Sequence, residues 1–86
     1  MGQVLAIFRV MPDEPGAEKG IILEIRKMKG LEIRDIKTED IAFGLKAVIV
    51  GVLLEDSEGS KIQEMEKMFS AIKGVSQAEM ENSTLL

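Results

Sequence analysis

Residues 40–54 read DIAFGLKAVIVGVLL. Eleven of these fifteen residues are apolar and many are β-branched, so the stretch is a poor helix, and it is too short to cross a membrane as one. From Leu45 to Leu54 apolar side chains occupy both alternating faces, which predicts an interior strand covered on both sides. Just before this strand, Phe43 lies between an alanine and a glycine. Its large ring is therefore flanked by residues with little or no side chain.

Three other segments also have strand patterns. Residues 4–11 are apolar at both parities and predict a second interior strand, which the run PDEPG at residues 12–16 ends. Residues 31–38 and 75–82 instead alternate between an apolar and a polar face. That alternation is typical of edge strands, so the chain has two candidates for the centre of a sheet and two for its edges.

Two segments have helical spacing. Apolar residues recur every three or four positions in residues 17–29 and again in residues 60–73, so each segment predicts an amphipathic helix. Gly20 weakens the first helix by about 1 kcal/mol relative to alanine. Ser60 and Gln63 have the spacing of a capping box at the start of the second helix.

The order of the elements is therefore strand, helix, strand, strand, helix, strand. With the two doubly apolar strands in the centre and right-handed crossovers, this order predicts an α+β, ferredoxin-like βαββαβ sandwich. Its sheet is antiparallel in the order 4-1-3-2, with both helices on one face. We expect residues 1–86 to form a single domain.

Composition narrows the possible functions. The 86 residues contain no Cys and no His, so thiol chemistry and the usual general base are absent, and we expect neither an enzyme nor a cofactor. A net charge of −4 argues against a nucleic-acid surface. The acidic residues 55–58 lack the spacing of a calcium loop and indicate a solvated turn rather than a metal site. Without an export signal, we expect a cytoplasmic protein.

The sheet face opposite the helices raises a question of function. Charged side chains avoid a helix-covered face, so we assign to the open face the parities that carry Arg9 and Lys46. That assignment places apolar residues there too: Leu5, Ile7, Val48, Val50 and Val52. They either pack sideways on an open sheet or form a patch for a second copy or another partner. Gly51, isolated in its strand, indicates close packing of a helix.

Phe43 has two interpretations from its position alone. It shares the parity of Leu45, so it could be a lid on the helix-covered core. Alternatively it lies at the rim, before regular strand pairing begins, and is an aromatic anchor for a pocket on a partner.

Several stretches of the sequence resemble those of a known family. The run IAFGLKA at residues 41–47 resembles the signature of the elongation factor 1-beta family in its short archaeal form, the guanine nucleotide exchange factors for elongation factor 1-alpha. The opening MGQVLA at residues 1–6, VMP at 10–12, Glu58-Gly59 and IKGV at 72–75 are also similar to the family. The similarity covers most of the chain and is poorest in the first helix and at the end.

The resemblance implies release of GDP from elongation factor 1-alpha, with residues 41–46 facing that GTPase. It also implies a basic residue near the C-terminus that reaches the Mg²⁺ and phosphate region, but the last basic residue here is Lys73. Either Lys46 supplies charge, or exchange depends on wedging by the loop and the apolar tail, which we favour. The predicted partner-binding residues are Ile41, Ala42, Phe43, Gly44, Leu45, Lys46, Leu85 and Leu86.

One alternative function has the same fold. A ferredoxin-like small-molecule-binding regulatory domain, or a dimerisation domain, would have the same order of elements, and fold alone does not separate the two. An RNA-binding sandwich would need aromatic side chains on the open face, and none of the three phenylalanines is expected there.

Overall fold

The computed structural model describes residues 2–55 and 61–86. Within these residues, two helices pack on one face of a four-stranded antiparallel sheet whose order is β2-β3-β1-β4. The elements are β1 (Gln3–Pro12), α1 (Ala17–Lys27), β2 (Glu32–Asp40), β3 (Lys46–Glu55), α2 (Lys61–Ser70) and β4 (Val75–Leu85). The predicted ferredoxin-like fold and strand order are confirmed. Ser60 of the predicted capping box and residues 56–58 of the acidic turn lie outside the described residues.

The core lies between the sheet and the helices. In the antiparallel pairing of β1 with β3, Phe8 is opposite Val50 and Val10 is opposite Val48, so these side chains share one face. The rings of Phe8 and Phe69 meet edge to face, with centroids 5.3 Å apart and an interplanar angle of 77°. The fully buried side chains around them include Ala6, Val52, Ile21 and Ile25. Neither α1 nor α2 is long and apolar enough to cross a membrane.

The predicted faces of β3 are wrong. Val48, Val50 and Val52 were assigned to the open face through their parity with Lys46, yet all three are fully buried beneath the helices. Lys46 misleads because it is the first residue of β3, where an exposed side chain reaches solvent past the end of the sheet. For β1 the prediction holds, since Arg9 pairs with Ile49 on the open face.

An ion-pair network covers part of the open face. The Nη1 atom of Arg9 lies 3.3 Å from Oε1 of Glu39 on β2 and 3.6 Å from Oε2 of Glu81 on β4. On the same face Ala47 is fully buried and Ile49 is only 7% exposed. Among the described residues, the large exposed apolar side chains are elsewhere: Leu23, Ile41, Phe43, Met68, Leu85 and Leu86. Sideways packing, rather than an exposed apolar docking patch, therefore accounts for the central strands on this face.

Gly51 was expected to allow close packing of a helix, and this expectation is also wrong. A Cβ atom built on Gly51 would lie 3.5 Å from Cδ1 of Ile7 and 3.6 Å from Cδ1 of Leu5, both on the open face. The side chains nearest to that position are therefore Ile7 and Leu5 of β1, rather than side chains of a helix.

Gly20 in the middle of α1 offers a test of helix stability. A Cβ built on Gly20 meets nothing within 4 Å, so Gly20→Ala adds helix propensity without a clash. We expect the free energy of unfolding to rise by about 1 kcal/mol, measured by urea denaturation. Gly74→Ala is the matched control and should lower it by about 1–2 kcal/mol, because φ of Gly74 is +96°. A destabilised Gly20→Ala variant would contradict the structure of α1.

Candidate functional site

The loop between β2 and β3 is a tight turn held by its own backbone. The N–H of Leu45 donates to the carbonyl of Ala42, and the N–H of Ile41 donates to the carbonyl of Leu45, each at 3.0 Å. Between them Phe43 has φ +55° and Gly44 has φ +78°. Positive φ at both central residues is the requirement of a type I′ hairpin turn, whose hand matches the twist of the two strands.

Phe43 is the unusual residue of this turn. Its side chain is 95% exposed, the largest exposed fraction among the large apolar residues of the described part. A positive φ costs a non-glycine residue about 1–2 kcal/mol, and a bulky side chain seldom adopts it. Asparagine or glycine would serve the turn better, so the fold gains nothing from a phenylalanine here. The lid interpretation is wrong, because the ring projects from the end of the sheet.

The structure brings together the six predicted residues of the loop. Next to Phe43, Ile41 is 37% exposed, and Leu45 is half-buried. Lys46 lies opposite Asp40 at the base of the hairpin. A shallow cavity of about 310 Å³ is lined by Asp40, Ile41, Ala42, Gly44, Leu45 and Lys46. The loop thus combines an exposed aromatic side chain with a small concave surface that has one carboxylate and one ammonium group at its base.

Leu85 and Leu86 lie at the other end of the sheet. Leu85 pairs with Val4, and the N–H of Leu86 donates to the carbonyl of Gln3 at 2.8 Å. The ten residues of β3 separate this end from the hairpin loop, a distance of about 30 Å. The predicted end of the last strand at Asn82 is wrong, because β4 continues to Leu85. The side chains of Leu85 and Leu86 are 67% and 64% exposed.

One neighbour of the loop is not visible in the sequence pattern. A Cβ built on Gly44 would lie 3.7 Å from both Cβ and Cγ of Pro15, in the turn between β1 and α1. The sequence identifies Pro15 only as part of a strand stop. Its proximity to Gly44 depends on β1 and β3 being paired, and no local pattern carries that information.

Comparison with known proteins defines the class. A family model described as the EF-1 guanine nucleotide exchange domain matches residues 5–86. Among solved structures, the ACT domain from GTP pyrophosphokinase of Chlorobium tepidum superposes with a TM-score of 0.72 over 93% of this chain and 88% of that one. At 20% identity this likeness shows the fold alone. The class is therefore that of ferredoxin-like guanine nucleotide exchange domains.

Three archaeal relatives identify the family. Elongation factor 1-beta of Methanospirillum hungatei is 38% identical over 86 residues, and that of Archaeoglobus fulgidus is 38% identical over 89, each with both chains fully covered. The protein of the same name from Thermoplasma volcanium is 34% identical over 89 residues, again with full coverage. The chain belongs to the elongation factor 1-beta family. Its role is that of a nucleotide exchange factor, a class that does not catalyse a chemical reaction.

Proposed function

We propose that this chain promotes exchange of GDP for GTP on elongation factor 1-alpha by inserting the loop of residues 41–45 beside the nucleotide site. The exposed ring of Phe43, on a residue whose positive φ disfavours a bulky side chain, carries the proposal. Family membership supports the choice of partner. We further propose that residues 1–86 act as one exchange domain and that exchange takes place in the cytoplasm.

The proposed mechanism is thermodynamic coupling. An exchange factor binds the nucleotide-free GTPase best. It lowers the affinity of the GTPase for GDP, and bound GDP lowers the affinity of the GTPase for the exchange factor by the same factor. A thousandfold loosening requires about 4 kcal/mol of coupling. Burial of one phenylalanine side chain supplies about 1.5–3 kcal/mol, so Phe43 accounts for part of this energy and its neighbours in the loop supply the rest.

The positive charge of Lys46 contributes less to the proposed mechanism than the apolar loop does. Lys46 is exposed at the base of the hairpin, and it is the cation nearest to Phe43 in the sequence. It lies opposite Asp40, which offsets its charge. We therefore assign distortion of the nucleotide site to apolar wedging by the loop, and to Lys46 only a supporting contact.

Leu85 and Leu86 remain part of the proposed interface as a second contact. Because they lie about 30 Å from the hairpin loop, they must meet a different part of the GTPase. Deleting residues 83–86 is a poor test, since it removes the pairing of Leu85 with Val4 and weakens the fold. Leu86→Ser keeps that pairing, and we expect it to slow exchange less than substitution of Phe43 does.

The direct test is release of a fluorescent GDP analogue from purified elongation factor 1-alpha of the same source. Catalytic amounts of the chain should accelerate release in the presence of excess unlabelled nucleotide. Leu23→Ala is the matched control, because Leu23 is an apolar side chain that is 59% exposed on α1, and it should leave the rate unchanged. If the wild-type chain at saturation does not change the release rate, the proposed function is wrong.

The alternative of a small-molecule-binding regulatory or dimerisation domain receives no specific support. The likeness to the ACT domain is one of fold, and the same fold carries unrelated functions.

A further inference from the structure

The two edge strands of the sheet, β2 and β4, differ in charge. An edge strand carries N–H and C=O groups with which a strand of another molecule can pair, and charged side chains are a common protection against this. β2 is densely charged, whereas in β4 only Glu79 and Glu81 are charged among eleven residues. The charged residues of β2 are six of its nine: Glu32, Arg34, Asp35, Lys37, Glu39 and Asp40. Charge therefore protects β4 much less than it protects β2.

A bulge in β4 determines which of its backbone donors point outward. Ile7 pairs with Asn82 but Phe8 pairs with Met80, so Glu81 is an extra residue in the pairing with β1. Along a regular antiparallel strand the N–H groups alternate between the neighbouring strand and the outer side, and one extra residue shifts this alternation by one. The N–H groups of Met80 and Ser83, three residues apart across the bulge, therefore point to the same side.

Two side chains occupy these donors. The N–H of Met80 donates to Oε2 of Glu66 at 2.7 Å, and the N–H of Ser83 donates to Oδ1 of Asn82 at 2.8 Å. Neither acceptor belongs to β1, so both donors lie on the outer edge of the sheet. Glu66 is half-buried on α2 and reaches the strand from the helix layer, whereas Asn82 is the residue directly before Ser83. A hydrogen bond to a carboxylate is about twice as strong as one between neutral groups, so Glu66 makes the stronger of the two bonds.

The Glu66 carboxylate opposes strand pairing in two ways. A strand that pairs with this edge needs the Met80 N–H as a donor, and the hydrogen bond to Glu66 has to break first. The incoming strand also brings its own carbonyl oxygens to the edge, where they face a carboxylate that is an acceptor only. When the incoming strand is β4 of a second copy, each molecule brings its own Glu66 to the same seam.

We propose that Glu66 blocks the outer edge of β4 against pairing with β4 of a second copy of this chain, and that Asn82 adds a second, local block. This inference goes beyond the proposed function and does not depend on it. The hydrogen bond from Met80 to Glu66 ties α2 to the edge strand and at the same time keeps that strand from self-association.

The first experiment measures self-association of the purified chain by sedimentation equilibrium. Glu66→Ala should lower the dissociation constant of the dimer by about tenfold or more, because each molecule loses the block on its edge. Glu66→Gln keeps an oxygen that can accept the Met80 N–H, so its dissociation constant should lie between those of the wild type and Glu66→Ala. Glu64→Ala is the matched control, since it removes the same charge from an exposed position of α2 and should not change association. Equal association of Glu66→Ala and the wild type would overturn the inference.

The second experiment locates the seam by hydrogen exchange of single amides. In dilute Glu66→Ala the Met80 amide should exchange faster than in the wild type, and it should slow again as the concentration rises and dimers form. Dimers in which the Met80 amide stays fast would pair elsewhere and would overturn the inference. Should Glu66→Ala fail to fold, Asn82→Ala tests the same edge without touching α2. It should speed exchange of the Ser83 amide and strengthen association, and unchanged association would overturn the inference.

Discussion

Phe69→Ala should lower the free energy of unfolding by about 3–5 kcal/mol, the range for removing a buried aromatic ring. Phe69 is fully buried on α2, and its ring meets that of Phe8 edge to face at 5.3 Å. The substitution therefore leaves a cavity at the contact between α2 and β1 and removes an aromatic pair. Small domains have about 5–15 kcal/mol of stability in total, so this variant should be close to unfolding at room temperature.

Urea denaturation followed by far-ultraviolet circular dichroism measures this loss. Phe69→Leu is the matched control, because it keeps most of the volume and should cost clearly less. A loss below about 1 kcal/mol for Phe69→Ala would mean that α2 does not pack on the sheet through this ring.

Much of the fold could be predicted because its strands differ in burial. The apolar residues at both parities of β1 and β3 predict central strands, and the alternation in β2 and β4 predicts edges. A face of a strand that is covered carries apolar side chains, and a face in solvent carries polar ones. The hydrophobicity pattern therefore indicates how many faces of each strand are covered. With the order of elements, they leave few topologies to consider.

The same patterns could not predict which face of β3 meets the helices. A strand that is apolar at both parities contains no local signal for which face meets the helices. The open face is therefore assigned from Lys46 alone, and this residue is uninformative because it lies at the end of the strand. The pairing of Phe8 with Val50 decides the question, and that register depends on contacts between distant parts of the chain.

The end of β4 was missed for a related reason. Residues 82–84 are asparagine, serine and threonine, a polar run without an apolar face. They form a strand because the backbone of β1 offers partners, with Asn82 opposite Ile7 and Thr84 opposite Leu5. Tertiary pairing outweighs local propensity at an edge strand, so the predicted strand ends at Asn82 whereas β4 continues to Leu85.

The candidate site was predicted as a set of residues and not as a geometry. The sequence identifies residues 41–46 as a loop with an aromatic residue, but the parity of Phe43 with Leu45 favours the lid and does not exclude the rim. Positive φ at both Phe43 and Gly44 settles the direction of the ring, because the turn breaks the strand alternation before β3 begins.

Phe43→Asn should strengthen the fold and weaken exchange. Asparagine tolerates positive φ, and followed by glycine it is the preferred pair for a type I′ turn, so we expect about 1 kcal/mol of added stability from relief of backbone strain. The same change removes the aromatic ring, so binding to nucleotide-free elongation factor 1-alpha should fall by about 2 kcal/mol, or about 30-fold. Urea denaturation measures the first effect, and titration of GDP release measures the second.

Phe43→Ala separates the two contributions. It removes the ring but keeps a Cβ at positive φ, so affinity should fall as in Phe43→Asn while the gain in stability is absent or small. Opposite signs of the two effects in Phe43→Asn are the signature of a residue kept for binding at the expense of stability. If Phe43→Asn or Phe43→Ala instead destabilises the fold by several kcal/mol with exchange unchanged, the ring is a packing residue. That result would leave family membership as the only support for the exchange function.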